Sequence, residues 1–216
     1  MKLIGMLDSP YVRRVAISLR TLGIPFEHQA LSVFSTFDEF HAINPVVKAP
    51  TLVCDDGTIL MESTLILDHV EHASASTRSL MPADPARRTH ALRRLGLALA
   101  CCDKAVQLVY ERNLRPPDAQ YEPWLARVSG QLAAALALLE DDVAEHGADL
   151  DPEAIDQATI TTAVAWRFLR ELAPANAPEA EHPSLVALSA RAEALASFLA
   201  FPPTGPGVAK NGLGRN

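Results

Sequence analysis

The first part of the chain alternates between short apolar runs and stretches with helical spacing. The run KLIGML predicts a buried strand, and the apolar positions after it recur every three or four residues, as on one face of a helix. Gly23 and Pro25 end that helix. We then expect a weaker strand over residues 26–33 and a short helix over residues 38–43.

The next segment predicts a hairpin followed by a third helix. Two strand-like runs, TLVCD and TILME, flank the pair Asp56-Gly57, which is a strong signal for a tight turn. Helical spacing returns from Ser63 onward. The predicted order is therefore β-α-β-α-β-β-α, a crossover unit followed by a hairpin and a helix.

From about Pro82 the pattern changes to long helices without strand-like alternation. The first helix carries an apolar seam in alternating steps of three and four residues, and the second repeats it from Leu125 to Val143. The first seam is formed by Leu92, Leu95, Leu99, Cys102, Val106 and Val109. A proline pair, Pro116-Pro117, separates the two helices.

Two further helices are predicted before an irregular tail. We expect the third to open with Asp151 as N-cap and Pro152 as first helical residue, since both residue types favour those positions. The fourth should begin after Pro183 and continue through Leu195 and Leu199.

A polar segment over residues 74–85 is the predicted linker. It separates a first domain at residues 1–76 from a second, all-helical domain at residues 84–203. The chain has 216 residues and 49% hydrophobic content, which is enough for two small cores.

Charge and composition exclude several classes of protein. The net charge is -7, and we expect the four arginines within residues 87–94 to lie on a solvated helix end, so no nucleic-acid partner is predicted. No apolar run approaches the ~20 residues of a membrane span, and the N-terminus lacks the pattern of a secretory signal. Three cysteines without a CxxC pair indicate a reduced, cytoplasmic, metal-free protein.

Four segments of the first domain, DSPYVRR, VKAPTLV, MES and the helix that follows it, together resemble the glutathione S-transferase family. No single segment is diagnostic, but their joint spacing in the β-α-β-α-β-β-α frame is specific. The resemblance covers nearly the whole chain in element order. It implies a thioredoxin-like N-terminal domain that binds glutathione, followed by an all-helical C-terminal domain, which is an α/β plus all-α fold class.

Ser9 and Pro10 open the first helix, where helix capping alone would select the same pair. The resemblance implies that Ser9 instead donates a hydrogen bond to the sulfur of glutathione, because only the thiolate is a good nucleophile. Tyr11 is a rival donor. Thiol-disulfide members of this fold carry Cys at the position of Ser9, so the serine favours conjugation or simple binding over disulfide exchange.

Lys48, Ala49 and Pro50 precede the third strand. An ordinary X-Pro turn is one interpretation. The resemblance implies a cis proline, with the main chain of Ala49 pairing with the cysteinyl part of glutathione and Lys48 meeting its glycine carboxylate. The sequence departs from the family by carrying Val47 where Gly is usual.

Glu62 and Ser63 join the fourth strand to the third helix. Ser63 is expected to cap that helix, with Glu62 as an adjacent acid. The resemblance implies that the helix N-terminus and the Ser63 hydroxyl receive the γ-glutamyl carboxylate, while Glu62 receives the ammonium group.

In the second domain the resemblance suggests that Asp103 reaches the γ-glutamyl ammonium across a homodimer interface. Tyr110 and Trp166, with Tyr11, are candidate walls of a pocket for an apolar second substrate, although core packing also suits Trp166. The expected function is conjugation of glutathione to an electrophilic small molecule. The alternative is a non-catalytic module that binds glutathione or a protein partner on the same fold.

Overall fold

The computed structural model describes residues 1–73 and 78–208, and within them the chain forms two compact units. The first unit contains residues 1–80 and 195–206, and the second contains residues 81–194 and 207–208. Part of the predicted linker, residues 74–77, lies outside the described residues. The predicted domains at residues 1–76 and 84–203 stay a prediction, and residues 195–206 pack with the first unit.

The first unit has the predicted order of elements. They are β1 (Lys2–Ile4), α1 (Pro10–Thr21), β2 (Glu27–Gln29), α2 (Phe37–Ile43), β3 (Thr51–Val53), β4 (Ile59–Met61) and α3 (Ser63–Ala73). The sheet order is β2-β1-β3-β4, with β1 parallel to β2, β1 antiparallel to β3 and β3 antiparallel to β4. This mixed sheet confirms the thioredoxin-like arrangement.

Alternation along the strands divides the first unit into two apolar layers. Leu3 and Leu52 lie in the layer formed with α1 and α3. The next residue along β1, Ile4, lies in the opposite layer with Phe40 of α2. The sheet is therefore covered by helices on both faces, which explains why β1, β3 and β4 are largely apolar, whereas the edge strand β2 is polar.

The second unit is helical, as predicted. Its main helices are α4 (Pro85–Leu114), α5 (Glu122–His146), α6 (Gln157–Leu172) and α7 (Pro183–Glu193). Helix α4 packs against α5 and α6, and α7 packs against the same two helices. In the residues that the structure describes, no helix is long and apolar enough to cross a membrane.

The predicted seam of α5 is confirmed, whereas the seam of α4 is partly wrong. Leu92 is 50% exposed, and Leu99 and Val106 are only half-buried. The buried row of α4 also follows steps of four and three, but it is rotated toward small residues that the periodicity did not mark. It consists of Ala91, Leu95, Ala98, Cys102, Ala105 and Val109.

The predicted start of the third long helix is also wrong. Helix α6 begins at Gln157, and the Asp156 carboxylate accepts a hydrogen bond of 2.7 Å from the N–H of Thr159. Asp151 closes a separate turn, since its carbonyl accepts from Ile155 N–H at 2.8 Å. A proline beside an aspartate is as suitable for such a turn as for a helix start.

The predicted fourth helix is two helices. Helix α7 ends at Glu193, Leu195 lies between helices, and Leu199 belongs to a four-residue helix, α8 (Ala196–Leu199). Leu199 is 66% exposed, so it does not continue the apolar face of α7.

Three residues of the arginine run are exposed and one is not. Arg87, Arg88 and Arg93 are exposed and Arg94 is partly buried, while Arg93 and Arg94 each donate to the buried Asp142 carboxylate of α5 at 2.6 Å. Two guanidinium groups compensate the burial of one carboxylate, which ties α4 to α5. The expectation that all four arginines are surface residues is therefore wrong for Arg94 and confirmed for the other three.

Cys101 and Cys102 are buried in the helical unit, which confirms that they pack as small apolar residues. Burial raises the pKa of the Cys101 thiol to about 12, because desolvation disfavours the thiolate. The Cys101 thiol is therefore not a candidate nucleophile.

The cap of α6 supports a stability prediction. Asp156→Ala should lower the free energy of unfolding by about 1 kcal/mol, because the N–H of Thr159 loses its acceptor. Asp151→Ala is the matched control, since Asp151 is exposed and its carboxylate accepts from the N–H of Glu153 at 2.9 Å in a turn outside the helix. It should change the free energy by less than about 0.5 kcal/mol. Equilibrium urea unfolding, followed by circular dichroism, measures both. Equal losses would contradict the assignment of the cap.

Candidate functional site

The register of the sheet brings the candidate segments of the first unit to one end. Ile4 pairs with Thr51, and Thr51 pairs with Met61, so the three residues form a row across β1, β3 and β4. The chain leaves β1 after Ile4, enters β3 at Thr51 and leaves β4 after Met61. Since neighbouring strands lie about 4.8 Å apart, the segments next to these residues are close together.

Ser9 stands at this end of the sheet as the N-cap of α1. Its Oγ accepts from the N–H of Val12 at 3.5 Å, and its own N–H donates to the Met6 carbonyl at 3.2 Å. Within the described residues the Ser9 hydroxyl donates no hydrogen bond. A hydroxyl has one proton to donate and two lone pairs, so the capping role leaves the proton available for another acceptor.

The β1–α1 loop, residues 5–9, approaches the segment before β3. A Cβ added to Gly5 would lie 2.6 Å from Val12 Cγ2 and 3.2 Å from the Ala49 Cβ. The φ of Gly5 is +140°, a backbone conformation that residues with a side chain rarely adopt. Only glycine allows the loop that carries Ser9 to lie this close to Ala49.

Buried polar groups hold the segment before β3 in place. Asn44 Nδ2 donates to Thr51 Oγ1 at 2.8 Å, and Thr51 Oγ1 donates to the Lys48 carbonyl at 2.7 Å. The Ala49-Pro50 peptide bond is cis, as the resemblance implies, and Lys48 is exposed. Neither the N–H nor the carbonyl of Ala49 is hydrogen-bonded within the described part of the chain, so both suit an added strand.

Glu62, and not Ser63, caps α3, which corrects the predicted cap. Glu62 Oε2 accepts from the N–H groups of Thr64 at 3.1 Å and Leu65 at 3.2 Å. The φ of Glu62 is 74°, a sparsely populated conformation for a residue with a side chain. Ser63 is the first residue of the helix, is 1% exposed, and donates to Glu62 Oε1 over a long 3.4 Å.

Arg14 belongs to this site and was missed by the sequence analysis. Its side chain is on α1, and Nη1 donates to Ser63 Oγ at 2.9 Å and to Thr64 Oγ1 at 3.4 Å. Arg14 is 1% exposed. A charged residue between apolar positions of a helix must have polar partners when buried, and that conflict in the run VRRVAISL was a usable signal.

The remaining candidates lie elsewhere. Asp103 is exposed on α4, where it accepts from Gln107 at 2.9 Å and pairs with Lys104 at 3.0 Å. Tyr110 is 39% exposed on the same helix, and Tyr11 is half-buried on α1. Trp166 is 4% exposed with its ring 5.5 Å from that of His182, an environment that favours core packing.

The chemistry at the end of the sheet is that of a recognition site for an extended, charged ligand. It offers unpaired main-chain groups at Ala49, a carboxylate at Glu62, hydroxyls at Ser9 and Ser63, and the N-terminus of α3, which favours an anion. No group of three or more potential metal ligands occurs among residues 1–73 and 78–208.

Comparison with known proteins points to one family. Residues 3–78 match the family model described as the N-terminal domain of glutathione S-transferase. An uncharacterised GST-like protein of Escherichia coli K12, YibF, is 29% identical over 174 residues, which cover 81% of this chain and 85% of YibF.

Solved structures extend the similarity to nearly the whole chain. A glutathione transferase family member from Pseudomonas fluorescens Pf-5, with bound S-(propanoic acid)-glutathione, is 30% identical with a TM-score of 0.80, covering 95% of this chain and 100% of its own. A glutathione S-transferase from Methylobacterium radiotolerans, in complex with glutathione sulfonate, is 28% identical with a TM-score of 0.86, covering 96% and 97%.

Proposed function

Because the chain belongs to the glutathione S-transferase family, we propose that it transfers reduced glutathione to an electrophilic, apolar small molecule. The observation that carries the proposal is the row Ile4, Thr51 and Met61, which brings Ser9, Ala49 and Ser63 to one end of the sheet. Glutathione is the substrate that donates the sulfur, and the proposal requires no metal.

The N-terminus of α3 binds the γ-glutamyl group in this proposal. Arg14 donates to Ser63 Oγ, which leaves the hydroxyl proton for an acceptor. In the structure that acceptor is Glu62 Oε1 at 3.4 Å, a weak contact that the γ-glutamyl carboxylate replaces. Glu62 then meets the ammonium group, and charge-assisted hydrogen bonds hold both ends of the amino acid.

The middle of glutathione pairs with the main chain of Ala49 as a short added strand, while Lys48 binds the glycine carboxylate. This places the cysteinyl sulfur toward the β1–α1 loop. The Ser9 hydroxyl donates to the sulfur, and the N-terminus of α1 adds favourable partial positive charge. Both effects stabilise the thiolate, which attacks the electrophile.

A direct assay tests the function. Purified protein should be retained on immobilised glutathione and should conjugate a generic electrophilic aromatic compound at saturating glutathione. Retention without turnover would support the alternative, a non-catalytic glutathione-binding or protein-interaction module. A protein that shows no retention and no turnover would overturn both the proposed function and the alternative.

Assembly and location complete the proposal. Part of α4 remains exposed at Leu92 and Tyr110, and we propose that this helix contributes to a homodimer in which Asp103 reaches the partner's γ-glutamyl ammonium. Sedimentation as a 23.3 kDa monomer at micromolar concentration would remove that role. A cytoplasmic location remains part of the proposal, and cell fractionation tests it.

Loss of the Ser63 hydroxyl should weaken glutathione binding more than loss of the Ser9 hydroxyl. The comparison is made below the pKa of the bound thiol, where Ser9 contacts a neutral sulfur. Ser63 binds a charged group, where a hydrogen bond contributes about 1.5–3 kcal/mol against about 1 kcal/mol for a neutral one. We expect Ser63→Ala to raise the Kd about 10- to 100-fold and Ser9→Ala about fivefold. Thr64→Ala is the control, since Thr64 is exposed and also contacts Arg14, and its Kd should stay near that of the parent. Calorimetric titration gives all three values, and equal or reversed losses would overturn the γ-glutamyl assignment.

Ser9→Ala should raise the pKa of the glutathione thiol in the binary complex. The hydroxyl stabilises the charged form, so its removal shifts the pKa upward by about one to two units. The N-terminus of α1 remains, so the value should stay below that of free glutathione. Ultraviolet absorbance of the thiolate, titrated against pH, measures the shift.

Ser9→Thr keeps the hydroxyl and serves as the control, with a pKa close to that of the parent. If Ser9→Ala binds glutathione and its bound thiol titrates as in the parent, Ser9 is only the cap of α1. Tyr11 would then be the next donor to test.

A further inference from the structure

Residues 195–206, which we call the C-terminal strap, pack within the first unit although they follow the helical one in sequence. Phe198 is fully buried, and Phe201 joins the apolar layer formed by α1 and α3. The Phe201 ring stacks on Phe26, with centroids 5.6 Å apart and planes inclined by 29°. The strap is therefore a packed part of the unit that carries the candidate site.

Arg13 joins the strap to the flank of α1. Its Nε donates to the Phe201 carbonyl at 2.8 Å, and its guanidinium lies over the Phe198 ring, 5.7 Å from the centroid. Arg13 is 1% exposed. A buried guanidinium requires such partners, so α1 and the strap hold each other in place.

The end of the strap contacts the residue that precedes Ser9. The N–H of Asp8 donates to the Thr204 carbonyl at 3.1 Å. Gly205 lies so close that an added Cβ would be 2.1 Å from Asp8 Oδ2 and 2.2 Å from Asp8 Cγ. Asp8 is within the turn that the Ser9 N–H closes on the Met6 carbonyl, so the strap supports the turn that carries Ser9.

We propose that the C-terminal strap is a positioning element for Ser9, acting through the Thr204 carbonyl, Gly205 and Asp8. The inference rests on the proposed function, because it concerns the orientation of the Ser9 hydroxyl toward the glutathione sulfur. The capping bond of Ser9 is long, at 3.5 Å, so it restrains the hydroxyl weakly. The main chain at Asp8, fixed by the strap, supplies the remaining restraint.

Gly205→Ala tests the proposal with a small change. Gly205 is absent from the glycines with positive φ, and the three atoms nearest to an added Cβ all belong to the Asp8 carboxylate, so alanine perturbs that contact first. We expect the pKa of the bound glutathione thiol to rise by about half a unit to one unit, with the KM for glutathione within about twofold of the parent. Below the pKa of the bound thiol, kcat/KM for the electrophile at saturating glutathione should fall about three- to tenfold, which corresponds to the same loss of thiolate. The difference should vanish at high pH, where the thiol is ionised in both proteins.

Thr204→Ala is the matched control, because its exposed side chain is removed while the carbonyl that Asp8 uses remains. Its bound-thiol pKa and its kcat/KM should match those of the parent. Gly205→Val enlarges the clash and should produce a larger shift in the same direction. Thermal unfolding of each variant separates positioning from stability.

A Gly205→Ala protein that unfolds earlier but keeps the parent's thiol pKa and pH profile would show a purely structural strap and overturn the inference. A Thr204→Ala protein whose bound glutathione thiol shows the same rise in pKa as in Gly205→Ala would also overturn the inference. If the parent itself leaves the glutathione thiol pKa at its solution value, the proposed role of Ser9 fails first, and the inference fails with it. A parent that lowers this pKa, with a Gly205→Ala protein that lowers it equally, overturns the inference alone.

Discussion

The pairing of Ile4 with Thr51 and of Thr51 with Met61 is the constraint on which the candidate site depends. These pairs align the end of β1, the start of β3 and the end of β4. A shift of one residue in either ladder would move every side chain of the shifted strand to the other face. The apolar layers on both faces of the sheet oppose that shift, so the same packing that stabilises the unit also sets the spacing of the candidate residues.

Two consecutive arginines connect this sheet end to its surroundings. Arg14 donates to Ser63 at the start of α3, and Arg13 donates to the Phe201 carbonyl of the C-terminal strap. Both side chains are buried on α1, the helix that begins beside Ser9. A hydrogen bond to a charged group contributes about 1.5–3 kcal/mol, so α1 is held on two flanks. The orientation of the Ser9 end of the helix follows from these contacts.

The sequence predicted what depends on local pattern. The hairpin at Asp56-Gly57 and the α5 seam follow from turn chemistry and periodicity, and both were found. The start of α6 failed because Asp151 and Asp156 have the same capping preference, and burial of the residues from Gln157 onward decides between them. The shift of the α4 seam to alanines has a similar cause, since small residues carry a weak periodic signal.

The polar contacts of the site depend on residues far apart in sequence. Arg14 and Ser63 are 49 residues apart, and no local pattern relates them. The same holds for Asp8 and Thr204, whose contact is between main-chain atoms that every residue type carries. The family resemblance nominated Ser9, Ala49 and Ser63, each of which lies near a strand end. The partners that orient them required the tertiary structure.

Backbone conformation adds a common feature to the three segments at the sheet end. Each has a residue with positive φ: Gly5 at 140°, Val47 at 51° and Glu62 at 74°. Val47 and Glu62 each store about 1–3 kcal/mol of strain, and such strain persists only where neighbouring contacts over-determine the backbone. The Asn44–Thr51 bond supplies those contacts near Val47, and the capping bonds of the Glu62 carboxylate supply them at α3. Each sharp turn redirects the chain near the end of a strand, and the register brings the three turns to the same end of the sheet. The departure from glycine at Val47 therefore changes the strain at that turn, while leaving the main-chain groups of Ala49 in place for a ligand.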